Sequence, residues 1–89
     1  MSKSVQDLLG GIVVNKVEGN FYCYGNELTS LIGSPATVTK GFYCGNNNLT
    51  SLIGAPTTVD TYFNCSNNTR KFTKKEVRAV CDVGSFIYV

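Results

Sequence analysis

Cysteines are the residues of this chain with the widest possible chemistry, and three of the four recur at a fixed interval. Cys23, Cys44 and Cys65 lie 21 positions apart, and Cys81 follows them. A thiolate can act as a nucleophile or bind zinc, but the chain has no histidine to activate one and no Cys-x-x-Cys pair. We therefore predict reduced, buried thiols that act as small apolar side chains, in a protein that is not an enzyme and has no metal or cofactor.

Aromatic and amide side chains flank the repeated cysteines. A row of tyrosines on one surface offers a large contact area at low entropic cost, which is typical of protein-binding surfaces. The alternative is that these rings only pack across neighbouring strands and shield the sheet. The candidate protein-binding residues are Tyr22, Tyr24, Tyr43 and Asn64.

Asparagines recur at the same interval at Asn26, Asn47 and Asn68. If equivalent residues lie above one another, their amides form a ladder at a bend of the chain. Buried amides need hydrogen-bond partners, so we predict that this ladder satisfies backbone groups at the bend and neighbouring amides.

Basic residues are concentrated near the end of the sequence, although the net charge is only +2. A solvated helix face, a phosphate-contacting patch and a docking site for an acidic protein surface all fit such a run. Phe72 is the only aromatic residue among them, which weakens a nucleic-acid role. The candidate phosphate-binding residues are Arg70, Lys71, Lys74, Lys75 and Arg78.

A repeat must position all of these residues. Residues 21–41 (FYCYGNELTSLIGSPATVTKG) and 42–62 (FYCGNNNLTSLIGAPTTVDTY) are identical at 13 of 21 positions, and a third copy starts at Phe63 and stops before Arg70. Phe and Cys alternate with Tyr, which predicts a short strand with Phe and Cys on the inner face. A unit this short cannot bury its own apolar face, but stacked units can.

We therefore predict a mainly β fold with one or two short helices. It is a short parallel-β solenoid of the leucine-rich-repeat-like kind, capped by a C-terminal helix and strand. The chain forms one domain, with an N-terminal cap over 1–20, repeats over 21–69 and a C-terminal cap over 70–89.

Capping signals mark both terminal segments. Ser4 is predicted to cap a helix from Val5 to Leu9 that Gly10-Gly11 ends, and residues 11–17 are predicted to be extended. Thr73 and Glu76 form a capping box, which predicts a helix from about Lys74 to Cys81.

The predicted second helix and the strand after it complete the C-terminal cap. Val77, Val80 and Cys81 are expected to face the last coil. Residues 85–89 are expected to form a fourth parallel strand, with Phe86 and Tyr88 in the places of Phe and Cys and with Ile87 on the outer face.

The pattern F-x-C-x-x-N-x-L-T-S-L-x-G-x-P resembles a short leucine-rich repeat, with Phe and Cys in the first two leucine places. More narrowly, residues 17–69 are similar to the repeats of small leucine-rich-repeat-like proteins of tailed bacteriophages, and residues 71–78 are similar to their ends. The resemblance implies an accessory protein that engages a host or host-defence protein through the Tyr-bearing face. A period of 21 leaves little room for an outer helix, so we expect turns or irregular chain there.

Three hypotheses about partners follow. The first is an unidentified protein, from a bacterial host if the resemblance holds. The second is nucleic acid bound by residues 70–78, and the third is a further copy of this chain. No signal peptide or apolar run of about 20 residues is visible, so we expect a cytoplasmic protein with no membrane partner.

Overall fold

The computed structural model describes residues 3–89 as a stack of parallel coils. Turns and bends without helix form the outer arcs of the repeats, as the short period predicts. The elements, in chain order, are α1 (Val5–Leu8), β1 (Lys16–Val17), β2 (Phe21–Tyr22), β3 (Thr37–Val38), β4 (Phe42–Tyr43), β5 (Thr58–Val59), β6 (Phe63–Asn64), α2 (Lys74–Val80), β7 (Asp82–Val83) and β8 (Ile87–Tyr88).

Two four-stranded parallel sheets run along the stack, in the orders β1-β3-β5-β7 and β2-β4-β6-β8. Phe21 pairs with Phe42 and Phe42 with Phe63, so residues 21 positions apart are neighbours. The predicted solenoid with two short helices is thereby confirmed. The sheet through Val17, Val38 and Val59 was not anticipated, because two-residue strands leave little alternation to recognise.

The core consists of columns of like side chains. The rings of Phe21 and Phe42 stack with centroids 5.6 Å apart, and Phe42 lies 5.3 Å from Phe63. Leu28, Leu49, Val38 and Val59 fill the remaining space and are fully buried. Each large apolar side chain buried in this way contributes about 1.5–3 kcal/mol of transfer free energy.

Asn47 joins two coils through the backbone. Its Oδ1 accepts hydrogen bonds from the N–H groups of Asn26 (2.8 Å) and Leu28 (3.0 Å). Its Nδ2 donates to the carbonyls of Cys23 and Cys44, both at 3.0 Å, and of Gly45 at 3.2 Å. All five partners are backbone groups.

Asn68 repeats this arrangement one coil higher, where it accepts from the N–H of Leu49 and donates to the carbonyl of Cys65. The Asn26 side chain donates to the carbonyl of Tyr24, 3.0 Å away. Within residues 3–89 these amides bond the backbone and not one another, because an amide placed inside a bend reaches backbone groups first.

The N-terminal cap follows its local signals. Ser4 and Asp7 form a capping box around α1, and Gly10 and Gly11 take positive φ angles of 62° and 83° after it. The extended segment is shorter than expected, because only Lys16–Val17 has a strand beside it. Ile12 and Val13, before that strand, are 68% and 77% exposed.

The C-terminal helix begins at the predicted capping box of Thr73 and Glu76. Val77 and Cys81 are buried, but the expectation for Val80 is wrong, since 46% of it is exposed. Val80 lies about 60° round the helix from Val77. The helix ends at Val80, and the backbone of Cys81 is extended. The Cys81 side chain therefore reaches the core, whereas that of Val80 does not.

The last strand is parallel, as predicted, but its register differs by one residue. Ile87 pairs with Phe63 and is buried, whereas Phe86 and Tyr88 are 62% and 47% exposed. The assignment of Phe86 and Tyr88 to the inner face, and of Ile87 to the outer face, is therefore wrong. β7 fixes this register, because Val83 of β7 pairs with Val59. In each coil the inner Phe or Ile follows the inner valine by four positions, so Ile87 takes the inner place after Val83.

Replacement of Asn47 tests the link between coils. Asn47→Ala leaves two N–H groups and up to three carbonyls without this partner in a buried bend. We expect a loss of about 3 kcal/mol or more in the free energy of unfolding, measured by urea denaturation. Asn48→Ala, at an exposed neighbouring position, is the matched control and should change the free energy by less than about 0.5 kcal/mol. Equal losses in the two variants would contradict the role of Asn47.

Candidate functional site

Six aromatic rings lie on the outer side of the sheet β2-β4-β6-β8. Their positions flank the inward Phe, Cys or Ile of each coil, and side chains on a strand alternate between its two faces. We call this surface the aromatic face. It consists of Tyr22, Tyr24, Tyr43, Tyr62, Phe86 and Tyr88.

Tyr22 is the centre of one group of rings. It stacks on Tyr43 with centroids 4.9 Å apart and planes 11° from parallel, and it meets Tyr24 edge-on at 6.0 Å. Tyr22 and Tyr24 are 60% and 56% exposed. Stacked and edge-on pairs of this kind hold each ring in one orientation, which lowers the entropy lost on binding.

Gly41 makes room for Tyr43. A Cβ atom at position 41 would lie 2.6 Å from the Tyr43 hydroxyl and 2.7 Å from the ring. The Tyr43 ring is therefore laid over the backbone of Gly41. A residue without a side chain at position 41 lets this tyrosine lie against the sheet.

Tyr62, Phe86 and Tyr88 form the second group. Their ring centroids lie 6.1–6.5 Å apart. Burial raises the pKa of Tyr43, and proximity to Tyr22, Tyr62 and Tyr88 raises it further. Both groups lie on the outer side of the same four-stranded sheet.

Asn64, a predicted contact residue, lies on the same side, but its side chain already has partners in the chain. Its Oδ1 accepts hydrogen bonds from the N–H of Ser66 (3.0 Å) and from the Ser66 hydroxyl (2.7 Å). Asn64 thus holds the bend after β6.

The aromatic face carries no charge at any position that flanks the inner Phe, Cys or Ile residues. The non-aromatic positions hold only amides, glycines and one hydroxyl: Asn20, Gly41, Gly45, Asn64 and Ser66. An uncharged surface has no electrostatic attraction for a polyanion. Its contacts must come from rings, hydroxyls and amides.

Two of the five basic candidates are engaged within the chain. Arg70 pairs with Glu76 and lies 5.0 Å above the ring of Phe72. The hydrogen bond from Arg70, followed by that from the Thr73 backbone, lowers the pKa of Glu76. The Arg78 guanidinium donates to the Val83 carbonyl, 3.3 Å away.

The other three basic candidates are lysines. Lys71, Lys74 and Lys75 are exposed, and within residues 3–89 none has an acidic partner within ion-pair distance. The structure therefore leaves three free cations near the start of α2 for a phosphate or an acidic surface.

The repeated cysteines lie in the core, and Cys81 is buried beside β7. Burial raises the pKa of Cys23 to about 12 and that of Cys65 to about 11. Burial, and then the neighbouring Cys23 and Cys65, raises the pKa of Cys44 well above its ordinary value. These thiols stay protonated and unreactive at neutral pH. Across residues 3–89, no three Cys, Asp or Glu side chains are grouped for a metal ion.

Sequence reasoning found half of the aromatic face and missed Tyr62, Phe86 and Tyr88. For Phe86 and Tyr88, the missed signal was the interval of four from Val17 to Phe21, Val38 to Phe42 and Val59 to Phe63. The same interval counted from Val83 gives Ile87, which places its two neighbours on the outer face.

No protein-family model, curated protein or solved structure matches this chain. In the part of the chain that the structure describes, no helix is long and apolar enough to span a bilayer.

The buried thiol of Cys23 predicts a loss of stability at alkaline pH. Its ordinary pKa of 9.0 applies in the unfolded chain, while the folded protein keeps the proton until about pH 12. Above about pH 9 the unfolded state binds fewer protons, so the free energy of unfolding falls by up to about 1.4 kcal/mol per pH unit for this thiol.

Urea denaturation between pH 8 and pH 11 measures this slope. Cys23→Ala is less stable throughout because it leaves a small cavity, but its slope should be shallower than that of the wild type. Parallel slopes would show that the thiol is not protected from ionisation.

Proposed function

We propose that this protein is a non-enzymatic binding module that docks on another protein through the aromatic face. The observation that carries the proposal is one uncharged surface with six aromatic rings, four of which are more than 45% exposed. Tyrosine-rich, uncharged surfaces are typical of protein recognition, because rigid rings give area and hydroxyls give hydrogen bonds.

The orientation of the rings favours a protein over a saccharide. A sugar stacks on the open flat side of a ring. Tyr22 and Tyr43 each turn one flat side toward the other ring, so two of the flat sides in this pair are covered while their edges are not. Edges and hydroxyls suit peptide groups and side chains on a partner, as they do in antibody loops.

The kind of partner rests on the sequence resemblance. A repeat similar to those of small bacteriophage proteins supports a target in the bacterial host, namely a host factor or a component of host defence. The same resemblance supports action in the cytoplasm of the host cell.

A nucleic-acid-binding role for residues 70–78 is the alternative, and the three free lysines are the observation that favours it. Two of the five candidate cations are engaged with Glu76 and the Val83 carbonyl. Phe72 is buried and offers no ring for stacking on a base. The alternative therefore depends on Lys71, Lys74 and Lys75 alone.

Affinity capture from a bacterial lysate, followed by calorimetry with the captured protein, tests the aromatic face. We expect Tyr22→Ala and Tyr88→Ala each to weaken binding by about 2 kcal/mol, or about thirtyfold, as central aromatic contacts do. Tyr22→Phe, which keeps the ring, should lose about 1 kcal/mol or less.

Ile53→Ala is the matched control, because Ile53 is 68% exposed on an outer arc and away from this sheet. It should bind like the wild type. Equal binding by Tyr22→Ala, Tyr88→Ala and the wild type would rule out the aromatic face as the docking surface.

A salt titration with single-stranded and duplex DNA separates the two functions. Three phosphate contacts predict a fall in log K of about two to three units per tenfold rise in salt. Charge reversal of Lys71, Lys74 and Lys75 should abolish DNA binding if the alternative holds. We expect no binding of this strength by the wild type and no effect of the reversal on capture of the protein partner.

A further inference from the structure

Among residues 3–89, the first strand leaves one edge of a sheet unpaired. β1 is the terminal strand of its sheet, and β3 is its one partner in this part of the chain. Thr37 and Thr39, one coil above, donate their N–H groups to the carbonyls of Asn15 and Val17. Successive residues of a strand turn their backbone groups to opposite sides, so those of Lys16 and Glu18 point away from the sheet.

The side chains on this edge have opposite charges. Lys16 and Glu18 project on the same face of β1, with their charged atoms 3.6 Å apart and their side chains 57% and 81% exposed. Val17 lies between them. The sequence Lys-Val-Glu therefore complements itself when a second strand runs antiparallel to it and both are centred on Val17.

We propose that this edge is a homodimer interface, in which β1 of a second copy pairs antiparallel across a two-fold axis at Val17. Lys16 of one copy then lies opposite Glu18 of the other. Each such pair exchanges two backbone hydrogen bonds, through the groups that face away from the sheet, and adds one ion pair. The axis makes every contact twice, which is the usual form of a dimer interface.

Exposed apolar residues accompany this edge in the same terminal coil. Ile12 and Val13 are 68% and 77% exposed, and Phe21 is only partly buried, since in the described part of the chain no coil lies beneath its ring. A second copy placed against this end would remove apolar surface from water as well as pair the strands.

Head-to-tail stacking of copies, the rival arrangement, does not fit the end helices. α1 lies one coil below the first outer arc, where the N–H of Gln6 bonds the carbonyl of Ile32. α2 lies above the second arc. If a second copy continued the sheets at the usual strand spacing of about 4.8 Å, α2 of one copy would lie only that distance from α1 of the next. Packed helices need about 8–10 Å between their axes.

The opposite edge of this sheet lacks the complementarity of β1. β7 and its neighbour read Asp82-Val83-Gly84, so a two-fold axis at Val83 brings Asp82 opposite a glycine. The charge pattern thus selects the β1 edge for pairing with a copy.

Sedimentation equilibrium from about 10 µM to 1 mM at low salt tests the dimer, because small interfaces are usually weak. We expect a reversible monomer–dimer equilibrium. Lys16→Glu and Glu18→Lys each place like charges opposite one another twice, and each should raise the dimer Kd about tenfold or more.

An equimolar mixture of Lys16→Glu and Glu18→Lys is the decisive sample. A mixed dimer pairs two acidic positions with two basic ones across the axis, although neither chain regains its own Lys16–Glu18 pair. The mixture should therefore dimerise about as well as the wild type. Lys75→Glu, on the exposed side of α2, is the control and should leave Kd unchanged.

Three results would overturn the proposal. They are a wild type that stays monomeric to about 1 mM, single reversals that leave Kd unchanged, and single reversals that weaken the dimer without recovery in the mixture. Loss caused by Lys16→Glu alone, with restoration by a reversal at Asp82, would indicate head-to-tail contact instead.

Discussion

The hydrogen bonds between coils are the constraint on which the rest of the structure depends. The N–H groups of Phe21 and Cys23 bond carbonyls of the second coil, and those of Phe42 and Cys44 repeat the pattern one coil higher. Parallel pairing in constant register forces each side chain to lie over its counterpart 21 positions away. A slip of one residue would turn every inner side chain outward.

This register sorts the side chains of the repeats into inner columns and outer columns. Inner columns hold Phe, Leu, Val and Cys, and their burial keeps the thiols protonated. Outer columns lie outside the core and pack only against one another and the sheet, so the aromatic rings found there are not explained by burial in the core. That contrast supports recognition by the aromatic face, since a solenoid needs only small or polar residues at such positions to fold.

The period could be predicted from sequence because thirteen identities repeat it, and both helices could be predicted because Ser4, Asp7, Thr73 and Glu76 act locally. The resemblance of Phe86 and Tyr88 to a Phe-x-Cys pair gave the wrong register for the last strand. Insertion of α2 lengthens the last interval from 21 to 24 positions, as the pairing of Phe63 with Ile87 shows. Only the pairing of β7 fixes the register after that insertion.

The size of the aromatic face limits how it can bind. Typical stable interfaces use about 20–30 residues from each partner, whereas four short strands present eleven outward positions. Binding energy is nevertheless concentrated in a few central residues, with Tyr and Trp enriched among them. A solenoid of only a few coils can therefore bind a protein partner only if most of its outer positions are strong contacts. The proposed docking surface has six rings among its eleven outward positions, held in orientation by Gly41 and by one another.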